Sequence, residues 1–168
     1  MKAVADSAPL IYLAKIGRLE LLRAYTEVLV PGAVYMETVS KGLEKGFLDA
    51  KIIQMEMDRG AIKLTELSAG QQKEAQELMK FAGIESGEAE AIVLAKDLNL
   101  DLLLDDLVAQ GVAKALGLEP LWTTSFVLKL LSEKKLKKQE ARETIEKLVG
   151  AGYRISEDVL IELLKKLE

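Results

Sequence analysis

The sequence predicts an α/β protein: a three-layer α/β/α sandwich around a central, mostly parallel sheet of five strands, with a helical extension behind it. Three observations carry this expectation. Short apolar runs alternate with longer segments of helical period, the pattern of βαβ units. Leu102-Leu103-Leu104 is apolar without alternation, as in a strand covered on both faces. Ala91-Ile92-Val93-Leu94-Ala95 leaves a helix no polar face at its middle, so that helix is buried on more than one side.

The elements follow in order. Lys2 to Asp6 is a first strand, and Pro9 suits the first turn of the helix after it. Leu10, Leu13, Ala14 and Leu21 give that helical segment an apolar face, with a break expected at Gly17. Glu27 to Val30 is a second strand, and Pro31-Gly32 opens a second helix. The charged, periodic stretch from Gly42 to Gly60 reads as one helix, Ala61 to Leu64 as a third strand and Ser68 to Phe81 as a further helix. The buried helix begins near Gly87, and the fourth strand ends at Asp105-Asp106. Leu107 to Leu116 is helical and Gly117 stops it; Leu118 to Trp122 is the fifth strand. Thr123-Thr124-Ser125 caps a helix through Leu131. Residues 1–131 are the expected domain. Residues 132–168 are an extension of two helices around Gly150-Ala151-Gly152, packed on the same domain.

Composition narrows the chemistry. The chain of 168 residues has no cysteine and no histidine. Thiol nucleophiles, thiolate zinc sites and histidine bases are therefore excluded. A net charge of −4 argues against binding nucleic acid by bulk charge alone, though a local basic patch remains open. Asp6 interrupts the leader-like start Met1-Lys2-Ala3-Val4-Ala5, and no run of about 18 uncharged apolar residues exists, so neither a signal peptide nor a membrane span is expected. The lack of cysteine pairs fits an intracellular protein.

Acids crowd one edge of this fold. Asp6 ends strand one, Asp105 and Asp106 end strand four, Glu37 lies in the second helix and Glu88 opens the buried helix. Strands one and four can be neighbours in a doubly wound sheet, and ligands bind at the carboxyl edge of such sheets. The companions of Glu88 at i+3, i+4 and i+7 are Ala91, Ile92 and Ala95, so Glu88 faces inward. Each acid also has a purely structural reading. Asp6, and Asp105 or Asp106, suit helix caps. Glu88 and Glu90 complement a helix dipole, worth roughly 0.3–1 kcal/mol. Glu37 alone reads as solvated. Together they read otherwise, because clustered carboxylates repel one another and lose hydration. Several in one pocket suit a divalent cation held by oxygen, Mg²⁺ or Mn²⁺. Such an ion makes water a nucleophile and stabilises a departing phosphate oxygen. Metal-dependent phosphoryl transfer to water is the expected chemistry.

Four stretches carry a family resemblance: Val4-Ala5-Asp6-Ser7, Val30 to Glu37, Gly87-Glu88-Ala89-Glu90-Ala91 and Leu103-Leu104-Asp105-Asp106. On these the chain resembles the PIN-domain proteins, metal-dependent ribonucleases that include the VapC-type toxins, over roughly residues 1–130. The resemblance implies a PIN-like sandwich and a catalytic quartet of Asp6, Glu37, Glu88 and Asp106. It implies Mg²⁺ or Mn²⁺ on Asp6, Glu88 and Asp106, with Asp105 an extra acid able to replace Asp106. Glu88 stands where the family commonly has Asp, and Leu104 where it often has Thr. It further implies a single-stranded RNA substrate, an antitoxin as candidate partner and a cytoplasmic location. Apolar residues left on the helical tail or on the Gly42–Gly60 helix suit a homodimer interface or an antitoxin groove.

Lys129, Lys134, Lys135, Lys137, Lys138 and Arg142 are candidate phosphate contacts, but Glu133, Glu140 and Glu143 interleave with them, and the run reads first as a solvated helix face. Trp122 and the tyrosines are candidates for base stacking, with core packing the plainer use for most of them. Two other readings stay open. One is a non-catalytic RNA- or protein-binding module. The other is a phosphohydrolase of small phosphoesters, disfavoured because Asp6-Ser7-Ala8 lacks the second Asp of an Asp-x-Asp motif.

Overall fold

The computed structural model describes residues 1–155 and 157–168, apart from the side chains at 158 and 162. Its centre is a parallel sheet of four strands, β1 (Lys2–Ala5), β2 (Glu27–Val30), β3 (Ile62–Leu64) and β4 (Asp101–Leu103), in the order β3-β2-β1-β4. Strand residues alternate between two cores, as the period of two requires. Ala3, Ala5, Val28, Val30 and Leu103 face one core; Val4, Leu29, Leu102 and Leu104 face the other.

The first core is closed by α1 (Ser7–Lys15), α4 (Leu48–Asp58), α8 (Thr123–Ser132), α9 (Lys138–Gly150) and α10 (Glu157–Lys166), through residues such as Leu10, Ile53, Phe126, Ile145 and Leu163. The second is closed by α5 (Ala69–Ala82), α6 (Ser86–Leu98) and α7 (Leu107–Ala115). Helices on both faces make the three-layer sandwich that the sequence predicts. Ala91 to Ala95 on α6 are at most 2 % exposed, as a helix without a polar face must be.

Three details differ from expectation. The segment Leu118 to Trp122 is not a fifth strand. It meets β4 by a single bridge, Leu121 to Leu103, because Pro120 has no N–H to extend a ladder. The stretch Gly42 to Gly60 is not one helix. Gly46, at φ +73°, turns the chain between α3 (Lys41–Glu44) and α4. The helix after β2 begins as α2 (Gly32–Tyr35), widens into a π-helical segment (Met36–Ser40) and continues into α3. No helix among the described residues is long and apolar enough to cross a membrane.

Candidate active site

β1 pairs with β4 directly, with Ala5 opposite Leu103. Asp6 and the Asp105-Asp106 pair therefore leave the carboxyl edge side by side, and the Asp6 N–H donates to the Leu103 carbonyl at 3.0 Å. Asp6 is 5 % exposed. It occupies the cap position of α1 but makes no side-chain capping bond, so its structural reading does not describe it. Burial raises its carboxyl to about 7; the Ser7 N–H opposes that, and the charges of Glu88, Glu37 and Asp105 add to it.

Glu37 enters from the π-helical segment, a local geometry that recurs at functional sites. Its Oε2 accepts from the Ser7 hydroxyl at 2.6 Å. Glu88 is half-buried in the first turn of α6, where its Oε2 accepts from the Glu85 N–H at 2.9 Å. Burial raises its carboxyl, that N–H lowers it, and Asp106, Glu85 and Glu37 raise it further. Gly87 gives the acids their space. A Cβ there would stand 3.3 Å from Asp6 Oδ1 and 3.5 Å from Glu37 Oε2. Glu90 has another task than its own helix dipole: it accepts from the Ala33 N–H at 2.9 Å and ties the start of α2 to α6.

The two aspartates after β4 differ. Asp106 caps α7, its Oδ1 accepting from the Ala109 N–H at 2.8 Å. Asp105 is held through both oxygens. Oδ1 accepts from the Thr123 N–H at 2.8 Å and the Tyr153 hydroxyl at 2.6 Å, and Oδ2 from the Thr123 hydroxyl at 2.6 Å. Burial raises this carboxyl while those bonds pull it back. Ser7, Gly87, Thr123 and Tyr153 are thus positioning residues that sequence reasoning did not single out. Ser7 and Gly87 lay inside motifs already noted and Thr123 inside a predicted cap; Tyr153 had no signal beyond following a glycine-rich turn.

None of the five acids Asp6, Glu37, Glu88, Asp105 and Asp106 has an ion-pair partner among the described residues. Nor do three carboxylates among those residues already close around one ion-sized position. The donor set is nonetheless of the right kind. It is all oxygen, which suits Mg²⁺ or Mn²⁺, and the buried Asp6 carboxylate lies among like charges that a cation would offset.

The basic run lies elsewhere. Lys129 pairs with Asp101 at 2.5 Å, at the amino ends of the strands and so at the opposite edge from Asp6. Lys135 pairs with Glu133, and Arg142 with Glu146. Trp122 is half-buried, Tyr12 and Tyr153 pack edge to face, and Tyr25 stacks on Phe126.

Comparison with known proteins bears on the fold and the family. Ten solved chains match, and two of them illustrate the shared fold. A PilT N-terminus domain protein, SSO1118, from the archaeon Sulfolobus solfataricus P2 is 23% identical, with a TM-score of 0.57 over 78% of this chain and 94% of that one. PAE2754 from Pyrobaculum aerophilum is 14% identical, with a TM-score of 0.57 over 79% of this chain and 99% of that one. No curated protein sequence matches significantly. The family model DUF3368, described as a PIN domain, matches residues 2–168. With the acids at the carboxyl edge and a match over nearly the whole length, the chain belongs to the PIN domain family.

Proposed function

We propose that this protein is a nuclease that cleaves single-stranded RNA with Mg²⁺ or Mn²⁺ and water as the nucleophile. The observation that carries the reading is the buried Asp6 carboxylate, without a cationic partner, gathered with Glu37, Glu88 and Asp106 at the carboxyl edge of the sheet. Asp6, Glu88 and Asp106 would hold the ion. Bound there, it would supply an acidified water and charge stabilisation for the departing oxygen. Asp105, fastened by Thr123 and Tyr153, fixes the turn that presents Asp106. Glu37 is steered by Ser7 through Oε2 and keeps Oε1 to orient a water. No side chain forms a covalent intermediate.

In this reading residues 132–168 extend the 1–131 domain and complete the site through Tyr153. The reading extends to action in the cytoplasm as the toxin of a toxin–antitoxin pair, with an antitoxin partner and a homodimeric state. One observation favours a second reading, a non-catalytic RNA- or protein-binding module: no three carboxylates already surround one position among the described residues.

The test is cleavage of a mixed single-stranded RNA pool in Mn²⁺ and in EDTA, by the wild type, Asp6→Asn and Asp106→Asn. The expected result is cleavage in Mn²⁺, none in EDTA, and at least a roughly hundredfold loss in both variants with unchanged circular dichroism. Cleavage that survives in Asp6→Asn sinks the site. RNA that is bound but never cut selects the binding module.

A further inference from the structure

Some lysines of this molecule are matched to carboxylates: Lys2 and Lys63 meet Glu27, Lys96 meets Glu74, Lys129 meets Asp101 and Lys135 meets Glu133. Others line a groove beside the acid site. A groove of about 440 Å³ lies between α1 and the α3–α4 hairpin and reaches Glu37. Lys15, Lys41 and Lys45 line it, and none of them forms an ion pair among the described residues. Asp49 also lines the groove, so its walls carry three cations and, with Glu37, two acids.

Phe47 stands in the same wall, 50 % exposed, with the Lys45 ammonium 6.0 Å from its ring centre. The hairpin that presents it is tightly built. A Cβ at Gly42 would lie 2.6 Å from the Ala50 Cβ, so α3 and α4 touch almost backbone to side chain, and Gly46 makes the turn before Phe47. The ring is thus presented on a packed support. The exposed ring leaves apolar surface in water, and the three ammonium groups place positive charge along the groove. A strand that carries phosphates and flat bases matches both, since stacking platforms and cationic grooves are the two elements of single-strand binding.

We propose that this groove is the path by which single-stranded RNA reaches the acid site, with Lys15, Lys41 and Lys45 on phosphates and Phe47 stacked on a base. The inference rests on the nuclease reading for its direction toward Glu37, but its test reads binding alone. A labelled pool of short random-sequence RNA is titrated in EDTA by fluorescence anisotropy, over a series of salt concentrations. Each phosphate contact contributes roughly −0.7 to the slope of log affinity against log salt for a single strand. The triple variant Lys15→Gln, Lys41→Gln, Lys45→Gln is therefore expected to flatten that slope by about 2 and to weaken binding by more than about tenfold at low salt. Phe47→Ala is expected to weaken binding by roughly 5- to 100-fold with the slope unchanged. Lys134→Gln with Lys138→Gln, on the basic run, is expected to change neither.

An unchanged slope and affinity in the triple variant overturns the proposal, as does an equal loss in the Lys134, Lys138 control or an RNA pool that the wild type does not bind. Groove-dependent binding without cleavage in Mn²⁺ overturns the nuclease reading and leaves the groove standing. Cleavage that persists when the groove variants bind as the wild type does the reverse. Unchanged circular dichroism shows that the exposed lysine substitutions leave the fold intact.

Discussion

The two edges of the sheet handle acid in opposite ways. At the amino edge, Glu27 lies between Lys2 at 2.7 Å and Lys63 at 3.8 Å, and Asp101 takes both Lys129 and the Tyr25 hydroxyl. At the carboxyl edge, Asp6, Glu37, Glu88, Asp105 and Asp106 meet hydroxyls and backbone N–H groups, with no ion-pair partner among the described residues. The direction of titration follows the partners. Lys2 beside Glu27 lowers its carboxyl, while burial pushes Asp6 up to about 7. Ion pairing neutralises a carboxylate; N–H and O–H donors hold it in place and leave its charge. The amino edge is built for the fold alone. The carboxyl edge is positioned but, among the described residues, left without ion pairs.

The largest effect expected from this contrast is on stability against pH. The Asp6 carboxyl titrates higher in the folded chain than in the unfolded one. Its contribution to stability is therefore complete below about pH 4 and is lost as pH rises through about 7. In EDTA, the melting temperature of Asp6→Asn should rise relative to the wild type across that range. The gap corresponds at most to roughly 4 kcal/mol. Mn²⁺ should stabilise the wild type and not the variant. Parallel pH profiles for the two proteins would show that Asp6 is not held at a cost.

Next in size is Tyr153→Phe, which removes an O–H donor from the half-buried Asp105 carboxylate. The expected cost is about 1.5–3 kcal/mol in thermal unfolding. Mn²⁺ affinity should fall by roughly 10- to 100-fold, because the turn that presents Asp106 to the ion loses a support. Trp122 adjoins Thr123, so its fluorescence is a suitable monitor of the titration. Unaltered Mn²⁺ affinity would leave Asp105 a structural residue only.

Gly87→Ala separates stability from function. Alanine favours a helix by about 1 kcal/mol over glycine, yet its Cβ would press on Asp6 and Glu37. Stability should stay within about 1 kcal/mol of the wild type while cleavage is lost. An active, more stable variant would mean that the carboxylates have room to move. The smallest effect is at the other edge. Lys129→Met breaks the pair with Asp101, which is partly exposed, and should cost under about 1 kcal/mol with cleavage unchanged.

The arrival of Asp6 and the Asp105-Asp106 pair at one edge was legible because each follows an unalternating apolar run and parallel strands carry their ends to one edge. The burial of α6 was legible from five consecutive apolar residues. Other features were not. Pro120 was in plain view, but only the geometry shows that Leu121 alone still pairs with β4. The Tyr153–Asp105 bond spans 48 residues and leaves no periodic trace. The role of Gly87 is an absent atom, and an absence has meaning only once Asp6 and Glu37 are known to be its neighbours. The basic run drew attention because its charges are adjacent in the chain. Lys15, Lys41 and Lys45 are scattered in sequence and meet only in space.

The Tyr153 brace also bears on the order in which the protein is made. Translation delivers Asp6, Glu37, Glu88 and Asp106 well before residue 153. Until Tyr153 emerges and docks, Asp105 has Thr123 alone to satisfy it behind the pocket. The support behind Asp105 is therefore complete only once residue 153 has been made, later than all four acids of the proposed site.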